Sequence, residues 1–360
     1  MIALPAHRPR STARRSSALL TLLTAGLLLA TGCGPEDPGF AAVRAADAAA
    51  AAATATATPA ATDSAPAVEP VRDASLPYNV TPLLAPSRKY VGVALENVPQ
   101  SIDPVNEYAA KIGKQPNVIE YYAAWGDGFD TVGAHRIYDS GALPYMAWEP
   151  HDVTMASIAA GTTDGYVRSV AKSVAKFNLP VAISIAHEMN GDWYPWGRQA
   201  NGPADFVAGW QHVHDLFTEA GATNVIWVWS PNIIIPAPNT RLAPYYPGDS
   251  YVDWAGMTGY FTLSGPKTFD TLYGSTMAEI RTFTKKPFFI SETASEGDKR
   301  RRADIDALFN GLAAHDDVIG FVWFNIVKRA DWRVETSPQS LSDYKKRVSD
   351  PRYGFDIRKP

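Results

Sequence analysis

The sequence predicts an α/β fold, a (β/α)8 (TIM) barrel preceded by an export signal and a disordered linker. Three observations lead there. From Lys89 onward short apolar runs alternate with amphipathic stretches, the pattern of repeated β/α units around a parallel sheet. Eight such runs fit the length expected of a closed barrel, which needs about 250 residues. The segment before them has a wholly different composition, so the regular texture begins abruptly.

The expected strands, in order, are Tyr90–Ala94, Val118–Ala123, Leu143–Trp148, Val181–Ala186, Val225–Trp229, Trp254–Tyr260, Pro287–Ser291 and Val318–Phe324. Helices are expected between them at Tyr166–Phe177, Ala204–Glu219 and Arg302–Ala314, where apolar residues recur at helical spacing. The polar tail from Asp331 to Pro360 is expected to add a final helix and cap. The barrel would occupy residues 87–360.

The N-terminal quarter is read differently. Arg8, Arg10, Arg14 and Arg15 precede an apolar run from Ala18 to Ala30, and Thr31, Gly32 and Cys33 follow. A basic start, a short apolar centre and small residues at the end describe an export signal over 1–32. The run is too short to span a bilayer comfortably. Ala30-Thr31-Gly32-Cys33 resembles a bacterial lipoprotein box, in which Cys33 becomes lipidated, and Arg14-Arg15 hints at twin-arginine export. Residues 33–86, rich in Ala, Thr and Pro, cannot bury enough apolar surface to offset their ordering entropy and are expected to form a flexible linker. The chain is thus expected outside the cell, on the membrane's outer face as a lipoprotein or secreted.

Composition narrows the functional classes. The formal net charge is -4 and only 19% of residues are charged, so no basic surplus exists to hold nucleic acid. Cys33 is the only cysteine, which rules out an intramolecular disulfide. All ten tryptophans lie between Trp125 and Trp332, several beside carboxylates. Aromatic faces can stack on the C–H faces of sugars, although most tryptophans simply fill cores.

In a (β/α)8 barrel the chemistry sits at the C-terminal ends of the strands. The fourth expected strand runs into His187-Glu188-Met189-Asn190-Gly191, and the seventh into Glu292. A lone Glu at a strand end commonly forms a salt bridge or caps a helix. Two of them, on strands three apart and flanked by aromatics, match the two carboxyls that glycosidic cleavage requires. The His187-Glu188 pair does not fit a zinc motif, because the position four residues after His187 is Gly191 rather than a second His. His212 and His214 stand two apart on an expected helix and face different ways. No phosphate loop and no G-x-S-x-G elbow is present. Two carboxyls suffice for this chemistry, so no cofactor and no metal is expected.

The segment His187-Glu188-Met189-Asn190-Gly191-Asp192-Trp193-Tyr194-Pro195-Trp196-Gly197 resembles the acid/base motif of glycoside hydrolase family 26. Similar matches are Trp229-Ser230-Pro231-Asn232, Tyr246-Pro247-Gly248-Asp249, Val252-Asp253-Trp254, Gly259-Tyr260 and Pro287-Phe288-Phe289-Ile290-Ser291-Glu292-Thr293. The resemblance spans about Tyr90 to Phe324. It implies a (β/α)8 barrel and a retaining mechanism, with Glu188 as acid/base and Glu292 as nucleophile. It further implies that His187 orients the nucleophile region, that Tyr260 hydrogen-bonds Glu292, and that Trp193, Trp196 and Trp323 are sugar platforms. Asn232 and Trp125 would line the cleft wall, and Asp192 either serves the site or caps a turn.

The family contains mainly endo-β-1,4-mannanases, with some mixed-linkage β-glucanases and β-1,3-xylanases. Many of its mannanases carry a Gly-His-Gln-type segment after the first strand, where this chain reads Gly92-Val93-Ala94-Leu95-Glu96-Asn97. Mannan, the family's main substrate, is the expected one, and the missing His leaves mixed-linkage or β-1,3-glucan as the alternative. A non-catalytic polysaccharide-binding surface protein is the rival from another class; retention of both acids argues against it. The expected partners are the β-linked polysaccharide and, only through lipidated Cys33, the membrane. No nucleic acid is expected, and the protein should be a monomer.

Overall fold

The computed structural model of the chain describes residues 75–234 and 240–360. The expected signal, Cys33 and residues 33–74 of the expected linker lie outside the described residues.

Eight parallel strands close into a barrel in sequence order: β1 (Tyr90–Ala94), β2 (Val118–Ala124), β3 (Leu143–Glu149), β4 (Val181–Ile185), β5 (Val225–Trp229), β6 (Trp254–Thr258), β7 (Phe288–Thr293) and β8 (Val318–Phe324). The chain is closed by β8 pairing along all of β1, from Tyr90 opposite Gly320 to Ala94 opposite Phe324. The strands are buried on both faces, which is why they read as continuous apolar runs rather than alternating ones.

The helices are α1 (Thr81–Leu84), α2 (Asp103–Ile112), α3 (Thr131–Asp139), α4 (Met155–Ala159), α5 (Asp164–Phe177), α6 (Pro203–Glu219), α7 (Ser275–Ile280), α8 (Asp298–Ala314) and α9 (Pro338–Val348). Local chemistry sets their ends. Asp130 caps α3 by accepting from the Gly133 N–H at 2.8 Å, and Pro203 opens α6 where no backbone donor is required. Gly113 after α2 and Asn178 after α5 take left-handed conformations, with φ of 71° and 49°, that stop each helix.

Residues 76–84, inside the segment expected to be linker, are packed structure. Leu83 is fully buried, the Tyr90 hydroxyl donates to Leu83 O at 2.8 Å, and Trp254 Nε1 donates to Leu84 O at 2.9 Å. Asn178 clasps the same segment, accepting from Tyr78 N and donating to Leu76 O. The ordered domain thus reaches back before residue 87. Its Leu83-Leu84 pair was hidden by the polar and proline-rich residues around it.

At the opposite end, α8 begins four residues earlier than its apolar spacing indicated. Its first turn carries the run Lys299-Arg300-Arg301-Arg302. Arg300 donates to Thr262 O at 3.0 Å and Pro266 O at 3.1 Å, and pairs with the buried Asp304 at 2.6 Å. Arg301, also buried, donates to Asp331 O at 2.7 Å and Ser295 O at 3.2 Å. The run therefore ties together the loops after β6, β7 and β8 at the C-terminal rim.

Candidate active site

The end of β4 turns sharply. Ala186 and Glu188 both occupy the left-handed region, at φ of 49° and 56°. Such conformations cost about 1–3 kcal/mol each in a non-glycine residue and survive only where the surroundings enforce them. Here Ala186 N is held by Trp148 O of β3 at 3.0 Å, and Glu188 N by Ser230 O beyond β5 at 2.7 Å. The turn delivers the Glu188 side chain into the barrel mouth, where it is buried.

Two donors fix the Glu188 carboxylate. Trp193 Nε1 donates to Oε2 at 2.6 Å, and Asn232 Nδ2 donates to Oε1. Asn232 is itself locked by a reciprocal pair with Asn190: Asn232 N donates to Asn190 Oδ1, and Asn190 Nδ2 to Asn232 O, both at 2.8 Å. Gly191 allows the Trp193 contact, because a Cβ there would lie 2.4 Å from the indole ring. The compact motif around Glu188 thus serves to place one carboxyl.

Glu292 arrives from β7 through a register irregularity. Ile290 pairs with Met257 but Glu292 pairs with Thr258, so β7 advances two residues while β6 advances one. Such a bulge re-aims a side chain without ending the strand. The Tyr122 hydroxyl, from β2, donates to Glu292 Oε1. Beneath, the Ser230 and Ser291 hydroxyls share a hydrogen bond.

Burial pushes the Glu188 pKa up, and the negative charge of Glu292 adds to it; His187 and the donors Asn232 and Trp193 partly offset the rise. Burial also raises Tyr122 and Tyr260 well above the ordinary phenol value, and the nearby Glu292 charge reinforces both. Both phenols therefore remain donors. The phenol that bonds Glu292 Oε1 is that of Tyr122, which sequence reasoning missed, whereas Tyr260 lies near enough to feel the Glu292 charge.

The remaining expected residues fall into two groups. His187 is buried among Tyr122, Tyr194 and Trp196, with its Nε2 4.0 Å from Glu149 Oε1, so its nearest carboxylate is Glu149 rather than Glu292. Trp125 is half-buried, stacked on Trp148 at 4.3 Å and edge-on to Tyr166. Asp192 is exposed and forms an ion pair with Arg198.

Two expectations are corrected. Trp196 is fully buried, donates to His187 O at 2.7 Å and stacks on Tyr194, so it supports the His187 backbone instead of meeting a sugar. Trp323 is likewise fully buried, packs on Tyr344 of α9 and donates to Trp332 O. The rim also carries Trp193, 48% exposed, and the half-buried Trp332, whose ring lies 4.9 Å from Tyr260. Among the described residues no group of three His, Cys, Asp or Glu side chains is arranged to hold a metal ion.

Residues 158–293 match the family described as Glycosyl hydrolase family 26. The chain is 29% identical over 250 residues to Endoglucanase H of Acetivibrio thermocellus, covering 66% of this chain and 28% of that protein. It is 33% identical over 126 residues to a mannan endo-1,4-beta-mannosidase of Bacillus subtilis, covering 33% of this chain and 32% of that one. The chain thus spans about a third or less of the length of both relatives. The fold superposes on a GH26 β-mannanase from Bacteroides ovatus with a TM-score of 0.58 at 17% identity, over 76% of this chain and 92% of the other. The matched stretch contains both rim carboxyls on the closed eight-stranded barrel, and the family match and these relatives together support glycoside hydrolase family 26.

Proposed function

We propose that the protein is a retaining endo-β-glycosidase, with Glu188 as acid/base and Glu292 as nucleophile, and that it cuts β-1,4-mannan. One observation carries the reading: two buried carboxyls from β4 and β7 meet in one barrel mouth and are held in unlike surroundings. Glu188 sits against an indole with its pKa raised by burial, so it can hold the proton that the leaving oxygen needs. Glu292 accepts the Tyr122 hydroxyl at Oε1, which holds that carboxyl in place for attack.

In the first step Glu292 attacks the anomeric carbon, the bond to the leaving oxygen breaks, and Glu188 gives that oxygen its proton. The glycosyl ester removes the Glu292 charge, and with it one cause of the raised Glu188 pKa. Glu188 then takes a proton from water as the water displaces Glu292, restoring both groups. Trp193 and Trp332 are the sugar-facing walls.

A second reading on the same scaffold is a mixed-linkage β-glucanase. The similarity to Endoglucanase H supports it, since it runs over 250 residues against 126 for the mannosidase. Reducing-end release from galactomannan, glucomannan, barley β-glucan, laminarin and β-1,3-xylan separates the two. Release from galactomannan, abolished in Glu292→Ala, supports the mannanase; release from barley β-glucan alone moves the substrate to glucan. Sugar retention without release on any polymer would overturn catalysis altogether.

The reading includes export through residues 1–32 and lipidation of Cys33. Labelled palmitate should enter the full chain expressed in a bacterium and fail to enter Cys33→Ser. Equal labelling of both would remove the anchor.

A further inference from the structure

Below the two rim carboxyls lies a third. Glu120 is the third residue of β2, in register with Ala94 of β1 and Tyr145 of β3. It stands two residues before Tyr122 on the same face of β2, so both side chains enter the barrel, Glu120 one layer deeper. Glu120 is only 3% exposed, and its buried Oε2 has no hydrogen-bond partner among the described residues. A carboxyl in that position is costly to keep and contributes nothing as packing that an apolar residue would not do better.

We propose that Glu120 is a positioning residue for the nucleophile, forming the floor on which Tyr122 and Glu292 are set. The proposal rests on the retaining-glycosidase reading above. The groups facing it come from the surrounding strands. They are Tyr122 on its own strand, Tyr145 and Glu149 of β3, Glu188 and Tyr194 beyond β4, Tyr260 beyond β6, and Glu292 of β7. Burial, and then the charges of Glu292, Glu149 and Glu188, push its pKa well above the usual carboxylate range. Burial and the surrounding carboxylates disfavour a charge on Glu120, so it occupies the floor without adding a second negative charge beneath the nucleophile. A neutral carboxyl keeps a donor and a dipole there, which an apolar side chain would lack.

The test compares Glu120→Gln and Glu120→Met in the full chain, on whichever polymer the wild type cleaves. Glu120→Gln keeps shape and neutrality; kcat should stay within about threefold of wild type and both limbs of the pH profile should stay in place. Glu120→Met removes the polar floor; kcat should fall about tenfold or more with KM nearly unchanged, as expected for a group that acts in the transition state only. A Glu120→Met enzyme with wild-type kcat would overturn the proposal. So would a displaced pH limb in Glu120→Gln, which would mean that the carboxyl works ionised; this second readout holds even if Glu120→Met does not fold. An inactive wild type would overturn the glycosidase reading and this one with it, whereas an active wild type with indifferent variants sinks this one alone.

Discussion

At the scale of single residues, Glu188 is governed by its immediate neighbours. Asn232 and Trp193 donate to its charged form, so removing either raises its pKa further. The acid must be protonated to act, so activity falls as pH rises through that pKa. Trp193→Phe and Asn232→Ala should therefore move the alkaline limb of kcat/KM to higher pH while lowering its plateau. An alkaline limb that stays put or moves down would separate the limb from Glu188. The rim aromatics make a different prediction. Trp332→Ala should raise KM about three- to tenfold, the range of one aromatic contact, with kcat little changed. Trp196→Phe should leave KM alone and act on stability, since its ring is buried and its indole N–H holds the His187 carbonyl.

The residue scale also explains what the sequence could and could not tell. That Glu188 and Glu292 reach one rim was legible because strand ends in a barrel point the same way, whatever the exact strand boundaries. Trp323 was not, because a one-residue change of register turns a side chain to the other face of a strand. In β8, Phe321 and Trp323 face Tyr344 of α9, and Phe324 faces Tyr260. Tyr122 and Glu120 could have been found from their alternation on a strand entering the same rim. The bulge that places Glu292 left no mark that spacing could detect.

At the scale of elements, the site depends on how α8 is seated. Arg300 and Arg301 hold three rim loops, and Gly311 lets the far end of the same helix lie against Phe269, where a Cβ would come within 2.0 Å of the ring. Gly311→Ala should cost about 1–3 kcal/mol by overpacking, read as a fall in the thermal midpoint. An unchanged midpoint would show that Phe269 yields freely. The turn from Asp298 to Arg301 fell outside the expected helix because Arg300 and Arg301 are held largely by backbone carbonyls of distant loops. A sequence pattern records apolar spacing well and such long-range acceptors hardly at all.

At the scale of the whole molecule, eight short β/α units gave a periodic signal strong enough to count. Three strands, β1, β5 and β8, have the expected limits; β7 differs at both ends and the others at one, by a residue or two. The N-terminal boundary was the weaker inference. Leu83 is fully buried and residues 76–84 bond to Tyr90, Asn178 and Trp254. Leu83→Ala should cost about 2–4 kcal/mol, as for other buried leucines. A chain trimmed to residues 87–360 should lose at least as much, and one trimmed to 75–360 should melt like the full chain. Equal melting of the two trimmed forms would mean that the segment adds nothing to the barrel.

The central claim is a double displacement at Glu188 and Glu292, and the anomer formed first tests it most directly. Proton NMR of the earliest products, recorded before mutarotation, should show the new reducing end as the β-anomer. That is the result of two successive inversions, and it should vanish in Glu292→Ala. Appearance of the α-anomer first would mean a single inversion by water, and Glu292 would then be a base and not a nucleophile.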